Sequence, residues 1–308
     1  MRGREPNCEA VMLIGFGGPT AAAEVRPFLD RVLADRPIPR ERYEEVVRHY
    51  DAVGGRSPYN EMTMRLAAAL QHKLQHMGIR APVIIAFRNM PPFFDDALRD
   101  LKQRGIHRAL GFVLAAHRSE ASWDRYLDEI KLAREQLGGE VSAVEYPPSW
   151  HDDPEFVEAV AERTRAALEH LDASAELIFT AHSIPLLMGG RAGYVEQLNE
   201  SARLIAQYLK RNSWTLAFQS RSGSPRDRWL EPDVKDVLRR FSGGQVVLVP
   251  LGFLCDHVEV LYDLDIEAAK AAREAGVTMV RAATVGEHPK FVEMIAKIAG
   301  QYISPISS

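Results

Sequence analysis

From end to end, the chain alternates short, continuous apolar runs of strand length with longer amphipathic stretches of helical period. The runs are Val11–Gly15, Val83–Phe87, Ala109–Leu114 and Val141–Tyr146, then Leu177–Ala181, Thr215–Phe218, Val246–Val249 and Thr278–Arg281. They are apolar at consecutive rather than alternate positions, so they read as strands covered on both faces, the mark of a parallel sheet. The helical patterns between them are Glu24–Leu33, Glu61–His76, Phe94–Arg104, Asp124–Leu137, Glu155–His170, Tyr194–Lys210, Glu231–Phe241, Asp265–Glu274 and Pro289–Gly300. Several carry start or stop signals: Pro154 follows Asp153 at a first helical position, and Gly276 closes a helix ahead of a strand. This order predicts an α/β protein of two Rossmann-like halves, each a four-stranded parallel sheet flanked by helices, with the site cleft between them. A chain of 308 residues is long enough for two such units, and Pro147-Pro148 divides it into residues 1–148 and 149–308.

Composition narrows the partners. A formal net charge of −4 gives no overall attraction to nucleic acid or anionic lipid, leaving only local basic patches such as Arg221, Arg226 and Arg228. Cys8 and Cys255 are too few for a disulfide framework or a cysteine-rich structural metal site, which fits a reducing cytoplasm. The polar start Met1–Ala10 and the short run Val11–Phe16 do not make a signal peptide. The longest apolar run, Val246–Cys255, is broken by Pro250 and Gly252 and falls far below the roughly 20 residues of a membrane helix.

In open α/β sheets ligands bind beyond the carboxyl ends of the strands, so the residues just after each run carry the functional argument. Gly15-Phe16-Gly17-Gly18-Pro19 lacks the G-x-G-x-x-G spacing and the Walker lysine, which argues against a nucleotide. Its glycines let the backbone approach a cleft occupant, and Phe16 is either a flat apolar face for it or a core aromatic at a strand end. Tyr50–Asn60, with a Gly-Gly turn and Ser57 between tyrosines, either walls a pocket or joins two helices tightly. Arg88 offers a guanidinium to a carboxylate ligand or to solvent. His182, in Ala181-His182-Ser183-Ile184-Pro185, suits proton transfer or metal ligation, or is a satisfied rim histidine. A faint echo between FVLAAHRS (112–119) and IFTAHS (178–183) puts Ala-His at a strand end in each half.

Pro250 to Glu267 concentrates the acids. Asp256, His257 and Glu259 follow an apolar turn, and then come Asp263, Asp265 and Glu267. On an α-helix, Glu259, Asp263 and Glu267 share a face beside Tyr262, with Asp265 off the row. That row reads either as a path for cations or protons or as a solvated acidic opening that suits a helix dipole. His182, His257 and Glu259 together can supply a site for a divalent metal of intermediate softness, such as iron or zinc. No G-x-S-x-G elbow is present, which leaves a serine hydrolase without support.

Taken in chain order, GFGGP (15–19), HYDAVGGRSP (49–58), FRNMPPF (87–93), FTAHSIP (179–185), FQSRSGSPRDRWLEP (218–232), GFLCDHVEVLYDLDIEA (252–268) and RAATVGEHPKFV (281–292) resemble the ferrochelatase family. The resemblance covers nearly the whole chain, and its AHSIP, WLEP and DHVEVLYDLD blocks are specific. It implies a lyase of haem biosynthesis that inserts Fe2+ into a porphyrin and displaces two protons from the pyrrole nitrogens. His182 and Glu259 match the catalytic pair on one face of the macrocycle, and with Asp263 and Glu267 they match the metal-contacting row. Phe16 takes the opposite face. Tyr50, Ser57, Arg88 and Tyr126 are the further porphyrin contacts, and His257 supports the site from behind. Fe2+ is then a substrate and no cofactor is bound permanently. The two cysteines rule out, within one chain, the four-cysteine [2Fe–2S] cluster of some members.

FTAHSIP, QSRSGSP, FRNMPPF and AAHRSEASWDRY, with Tyr126, look closest to the bacterial coproporphyrin III branch, making that porphyrin the preferred substrate and protoporphyrin IX the alternative. Two departures count against it. The branch's basic pair falls on Leu33 and Ala34, with Arg36 nearby, and Phe16 replaces a tyrosine found in some members. The expected partners are porphyrin, Fe2+ and a transient haem-accepting protein, with no nucleic acid and no transmembrane segment, in the cytoplasm. A reading of another class, a non-catalytic tetrapyrrole or metal carrier, would be expected to lose the His182–Glu259 pair.

Overall fold

The computed structural model describes residues 7–34, 38–138, 141–186, 193–222 and 228–305, so Arg36 and Arg226 lie outside the described residues. Each apolar run forms a strand. β1 (Ala10–Gly15), β2 (Val83–Phe87), β3 (Arg108–Val113) and β4 (Ala143–Glu145) make one sheet in the order β2-β1-β3-β4. β5 (Glu176–His182), β6 (Thr215–Gln219), β7 (Gln245–Val249) and β8 (Thr278–Arg281) make a second in the order β6-β5-β7-β8. Every pairing is parallel. All six residues of β1 are buried, as continuous apolarity requires of a strand covered on both faces.

The helices are α1 (Ala22–Val32), α2 (Arg40–Ala52), α3 (Tyr59–His76), α4 (Phe94–Gln103), α5 (Arg125–Gln136), α6 (Pro154–Leu168), α7 (Tyr194–Tyr208), α8 (Val234–Arg239), α9 (Val258–Leu261), α10 (Ala269–Glu274) and α11 (Pro289–Gly300). Three differ from the sequence expectation. α2 has no counterpart among the expected helices, because RERYEEVVRHYDA lacks a wide apolar stripe and only Tyr50 is fully buried along it. α8 starts later than Glu231: the Phe218 amide donates to the Pro232 carbonyl at 2.8 Å, and Asp233 then caps the helix by accepting from the Lys235 amide at 2.8 Å. The helix expected over Asp265–Glu274 begins instead at Val258 and passes through a π-helical segment, Asp263–Ala268, before α10.

The two sheets wind identically, so β1 corresponds to β5, β2 to β6 and β3 to β7. The Ala-His echo therefore joins non-equivalent strands, β3 and β5. A truer correspondence lies elsewhere. Phe87 pairs with Gly15, and its amide takes the Pro92 carbonyl at 2.8 Å; Phe218 pairs with Ala181, and its amide takes the Pro232 carbonyl at the same distance. Gly15 thus matches Ala181, and Phe16 matches His182.

Alternate residues of the second sheet serve different cores. Leu177, Phe179, Val247 and Val249 join a core that runs into the first half through Val11, Leu13 and Phe112. Ile178, Ala217, Val246 and Leu248 pack under α8 and the α9–α10 stretch. The C-terminal helix α11 packs on both α3 and α6. Around it the Cys8 amide donates to the Tyr302 carbonyl at 2.8 Å, Arg65 pairs with Glu287 at 2.9 Å, and Lys73 pairs with Glu293. No described helix is long and apolar enough to cross a membrane.

The loop after β7 crosses the end of β5 at Gly252, whose amide donates to the Thr180 carbonyl at 2.9 Å. A Cβ there would stand 2.7 Å from the Cβ of Ala181 and 2.8 Å from its Cα. We expect Gly252→Ala to destabilise the fold by about 1–3 kcal/mol, through overpacking against a backbone that cannot yield. Chemical denaturation of the two proteins measures this, and equal midpoints would contradict it.

Candidate active site

β5 ends at His182, paired in register with Gln219 of β6. The His182 Nδ1 lies 2.5 Å from the Ser183 carbonyl. A carbonyl only accepts, so Nδ1 carries the proton and Nε2 is turned to Glu259 Oε1, 3.3 Å away. Burial opposes charge on this imidazole, yet the Glu259 carboxylate and the Ser183 carbonyl together hold its pKa up at about 9. Burial likewise pushes Glu259 up, and the neighbouring His182 more than reverses this, leaving the carboxyl below its usual range. At neutral pH the two are an imidazolium and a carboxylate.

Backbone-directed contacts fix Glu259. His257 caps α9, its Nδ1 accepting from the Glu259 amide at 3.3 Å, and its ring stands edge-on to Phe253 at 4.4 Å. Gln219 Nε2 donates to the Glu259 carbonyl at 2.5 Å, while Gln219 Oε1 is buried and finds no partner among the described residues. His257 spends Nδ1 on the helix cap, and it does not join His182 and Glu259 in one metal-holding set among the described residues. Among the described residues no cluster of three or more His, Cys, Asp or Glu forms such a set in this conformation.

Outward from Glu259 the carboxylates run along the π-helical segment. The Tyr262 carbonyl accepts from both the Ile266 amide (3.1 Å) and the Glu267 amide (3.0 Å), the second bond being the wider i→i+5 kind. On an α-helix residues four apart drift by about 40° per step. The wider turn counters that drift where the row needs it. Asp263 Oδ2 accepts from the Ser220 hydroxyl, and Ser220 reaches it from a left-handed backbone (φ 62°) just beyond β6. Burial, with the Glu259 and Glu267 charges, raises the Asp263 pKa to about 7 against the pull of Ser220. Glu267 is paired with Lys235 Nζ at 2.7 Å. Asp265 leaves the row and binds Arg281 at 2.5 Å.

An aromatic-rich cluster spans the two halves nearby. Phe16, Phe28, Tyr50, Tyr59, Phe87 and Met90 cluster with Cys255 and Val258 of the other half. The Tyr59 hydroxyl receives the Phe16 amide at 3.0 Å, and Phe16 stands edge-on to Phe28 at 6.0 Å. Burial first and Glu259's charge second push the Tyr50 phenol above its ordinary range. Tyr126 is buried edge-on to Phe94 at 6.2 Å, and its hydroxyl also feels Arg88, Glu129, Cys255 and Glu259. His49 stacks on Tyr262 at 3.7 Å, tying the first half to the π-helical segment.

Two of the residues expected to contact a ligand are engaged within the protein. Arg88 pairs with Glu129 at 2.8 Å, and Glu129 also holds Arg125 at 3.0 Å. Ser57 is buried against Gly18, and its hydroxyl accepts from the Tyr59 amide at 3.2 Å. Sequence reasoning gave no role to Gln219, Ser220 or Lys235. The first two sit in the quoted QSR block and Lys235 lies just after WLEP, but only the sheet register and the α8 cap bring them to the row.

A family model described as Ferrochelatase matches residues 8–302. A protein of Rhodopirellula baltica named ferrochelatase is 39% identical, covering 98% of this chain and 88% of that one. A coproporphyrin III ferrochelatase of Propionibacterium freudenreichii is 41% identical over 94% of this chain and 86% of its own length. Among solved structures, SirB from Bacillus subtilis with Fe3+ superposes with a TM-score of 0.60 over 96% of this chain and 95% of that chain. At 13% identity it speaks for the fold alone.

Asp263 supplies a pH test. Its carboxyl is raised from 3.8 to about 7, so the protonated form favours the fold; that stabilisation is complete below 3.8 and lost as pH rises through about 7. Asp263→Asn should therefore raise the melting temperature above about pH 8 and leave it nearly unchanged below about pH 4. A constant difference at all pH values would contradict this.

Proposed function

The chain belongs to the ferrochelatase family, and from that premise we propose that it inserts Fe2+ into coproporphyrin III, with His182 and Glu259 as the catalytic pair. The single observation that carries the assignment of the pair is the 3.3 Å contact between His182 Nε2 and Glu259 Oε1 at the carboxyl end of β5. It also argues against a non-catalytic carrier, which has no need of a paired acid–base couple. That coproporphyrin III is the porphyrin rests on the names of relatives 36–41% identical to this chain.

Metallation of a porphyrin is slow because two N–H protons must leave a planar ring as the metal arrives. A site helps by holding the ring and placing a base and oxygen ligands over its centre. In this reading Phe16, with Tyr50 and Tyr126, offers apolar surface to the ring, and His182 faces it from the other side. The matched positions of Phe16 and His182 in the two halves support that opposition. Because His182 rests as an imidazolium, it accepts a pyrrole proton only after passing its Nε2 proton to Glu259. Asp263, which titrates near neutrality, suits the next step outward. Glu259, Asp263 and Glu267 contact incoming Fe2+ along the same row, so each arriving positive charge helps to expel a proton. His257 keeps Glu259 in place. We place the reaction in the cytoplasm, with a haem-accepting protein as transient partner; cell fractionation that finds the chain in another compartment would argue against this.

Anaerobic Fe2+ insertion measured side by side should favour coproporphyrin III over protoporphyrin IX by on the order of tenfold in kcat/KM. The reverse preference would overturn the substrate but not the activity. His182→Ala should lower kcat by at least about a hundredfold while porphyrin still quenches protein fluorescence with similar affinity. Full turnover by that variant removes His182 from the mechanism.

A further inference from the structure

The carboxylate row is closed by a cation at each end. The inner one is the His182 imidazolium on Glu259, and the outer one is Lys235, whose Nζ stands 2.7 Å from Glu267 Oε2. Lys235 is the second residue of α8, and the Asp233 cap fixes where its side chain departs. The lysine is 32% exposed and Glu267 is 36% exposed, so water screens the pair and it opens easily. Asp233 and Asp263 also bear on the ammonium, so it does not lose all its counter-charge when it leaves Glu267.

We propose that Lys235 is a tethered competitor for the cation site of Glu267, so that a dication binds there only by displacing the ammonium. The exchange moves no electrons. The lysine keeps its proton and swings aside, and the carboxylate changes from an ion-pair partner to a metal ligand. A monovalent cation gains nothing over the tethered ammonium, since it brings the same charge and must be drawn from bulk. Mg2+ gains little, because it sheds its water reluctantly. A transition-metal dication, which binds oxygen and nitrogen donors more strongly, wins the exchange. Lys235 therefore acts through Glu267 as a filter against weakly bound, abundant ions. This rests on the reading of the row as iron's route for its role in turnover, and not for the competition itself.

The test is Mn2+ binding to the porphyrin-free protein, followed by electron paramagnetic resonance. Lys235→Met should bind Mn2+ roughly three- to tenfold more tightly than the parent. Lys235→Arg, which keeps the cation, should match the parent, and adding Glu267→Gln to Lys235→Met should abolish the gain. In turnover, Lys235→Met should lower the KM for Fe2+ by a similar factor with kcat within about twofold, and make Mg2+ a stronger inhibitor. Unchanged or weaker Mn2+ binding by Lys235→Met overturns the inference, whatever the turnover. Tighter Mn2+ binding with an unaltered KM for Fe2+ supports the competition and sinks the row as iron's path.

Discussion

A parallel sheet buried on both faces leaves a ligand only its carboxyl edge, and the whole molecule is arranged around that constraint. β1 and β5 are interior strands of their sheets, so Phe16 and His182 emerge at equivalent carboxyl ends. The loop after β7 has to pass over the end of β5 at backbone contact, and only a residue without a side chain can make the crossing, at Gly252. Residues 255–267, just beyond the crossing, are thereby laid across the same edge. The acids reach the histidine along this route.

That route decides the electrostatics. His182 and Glu259 stabilise each other's charged forms, so the couple is an ion pair at rest and not a free base beside a neutral acid. Asp263, in contrast, is crowded by like charges and by burial, and sits at the midpoint between charged and neutral near pH 7. Neighbouring carboxyls in one row thus hold protons with unequal strength, the condition for moving a proton along it. Lys235 and Ser220, each contributed from beyond β6, steady the outer members.

Much of this was legible in the sequence. Continuous apolar runs gave the strands and their burial, and the motif blocks marked the ends that matter. What stayed hidden depends on partners distant in the chain or on geometry with no sequence period. Arg88 meets Glu129 and Ser57 meets Gly18 only once the first half is folded. α2 is too polar along its length to announce itself. Glu259, Asp263 and Glu267 stand four apart in sequence whether the turn that carries them is α or π, so they look the same on paper in either form. The pattern of charge showed that a row exists; it did not show which members are held by Ser220 and Lys235.

The correspondence of Phe16 with His182 has one more consequence. The fold supplies two like positions, and the chain fills one with a hydrocarbon ring and the other with an ionisable one. A porphyrin whose edge substituents are unsymmetrically placed has two faces that are mirror images and cannot be superposed. Walls so unlike make the two flipped placements of such a ring inequivalent, and contacts at its edge choose between them. On the proposed reading, two residues at equivalent addresses decide from which side of the ring iron arrives, and the ring's edge decides which face it meets.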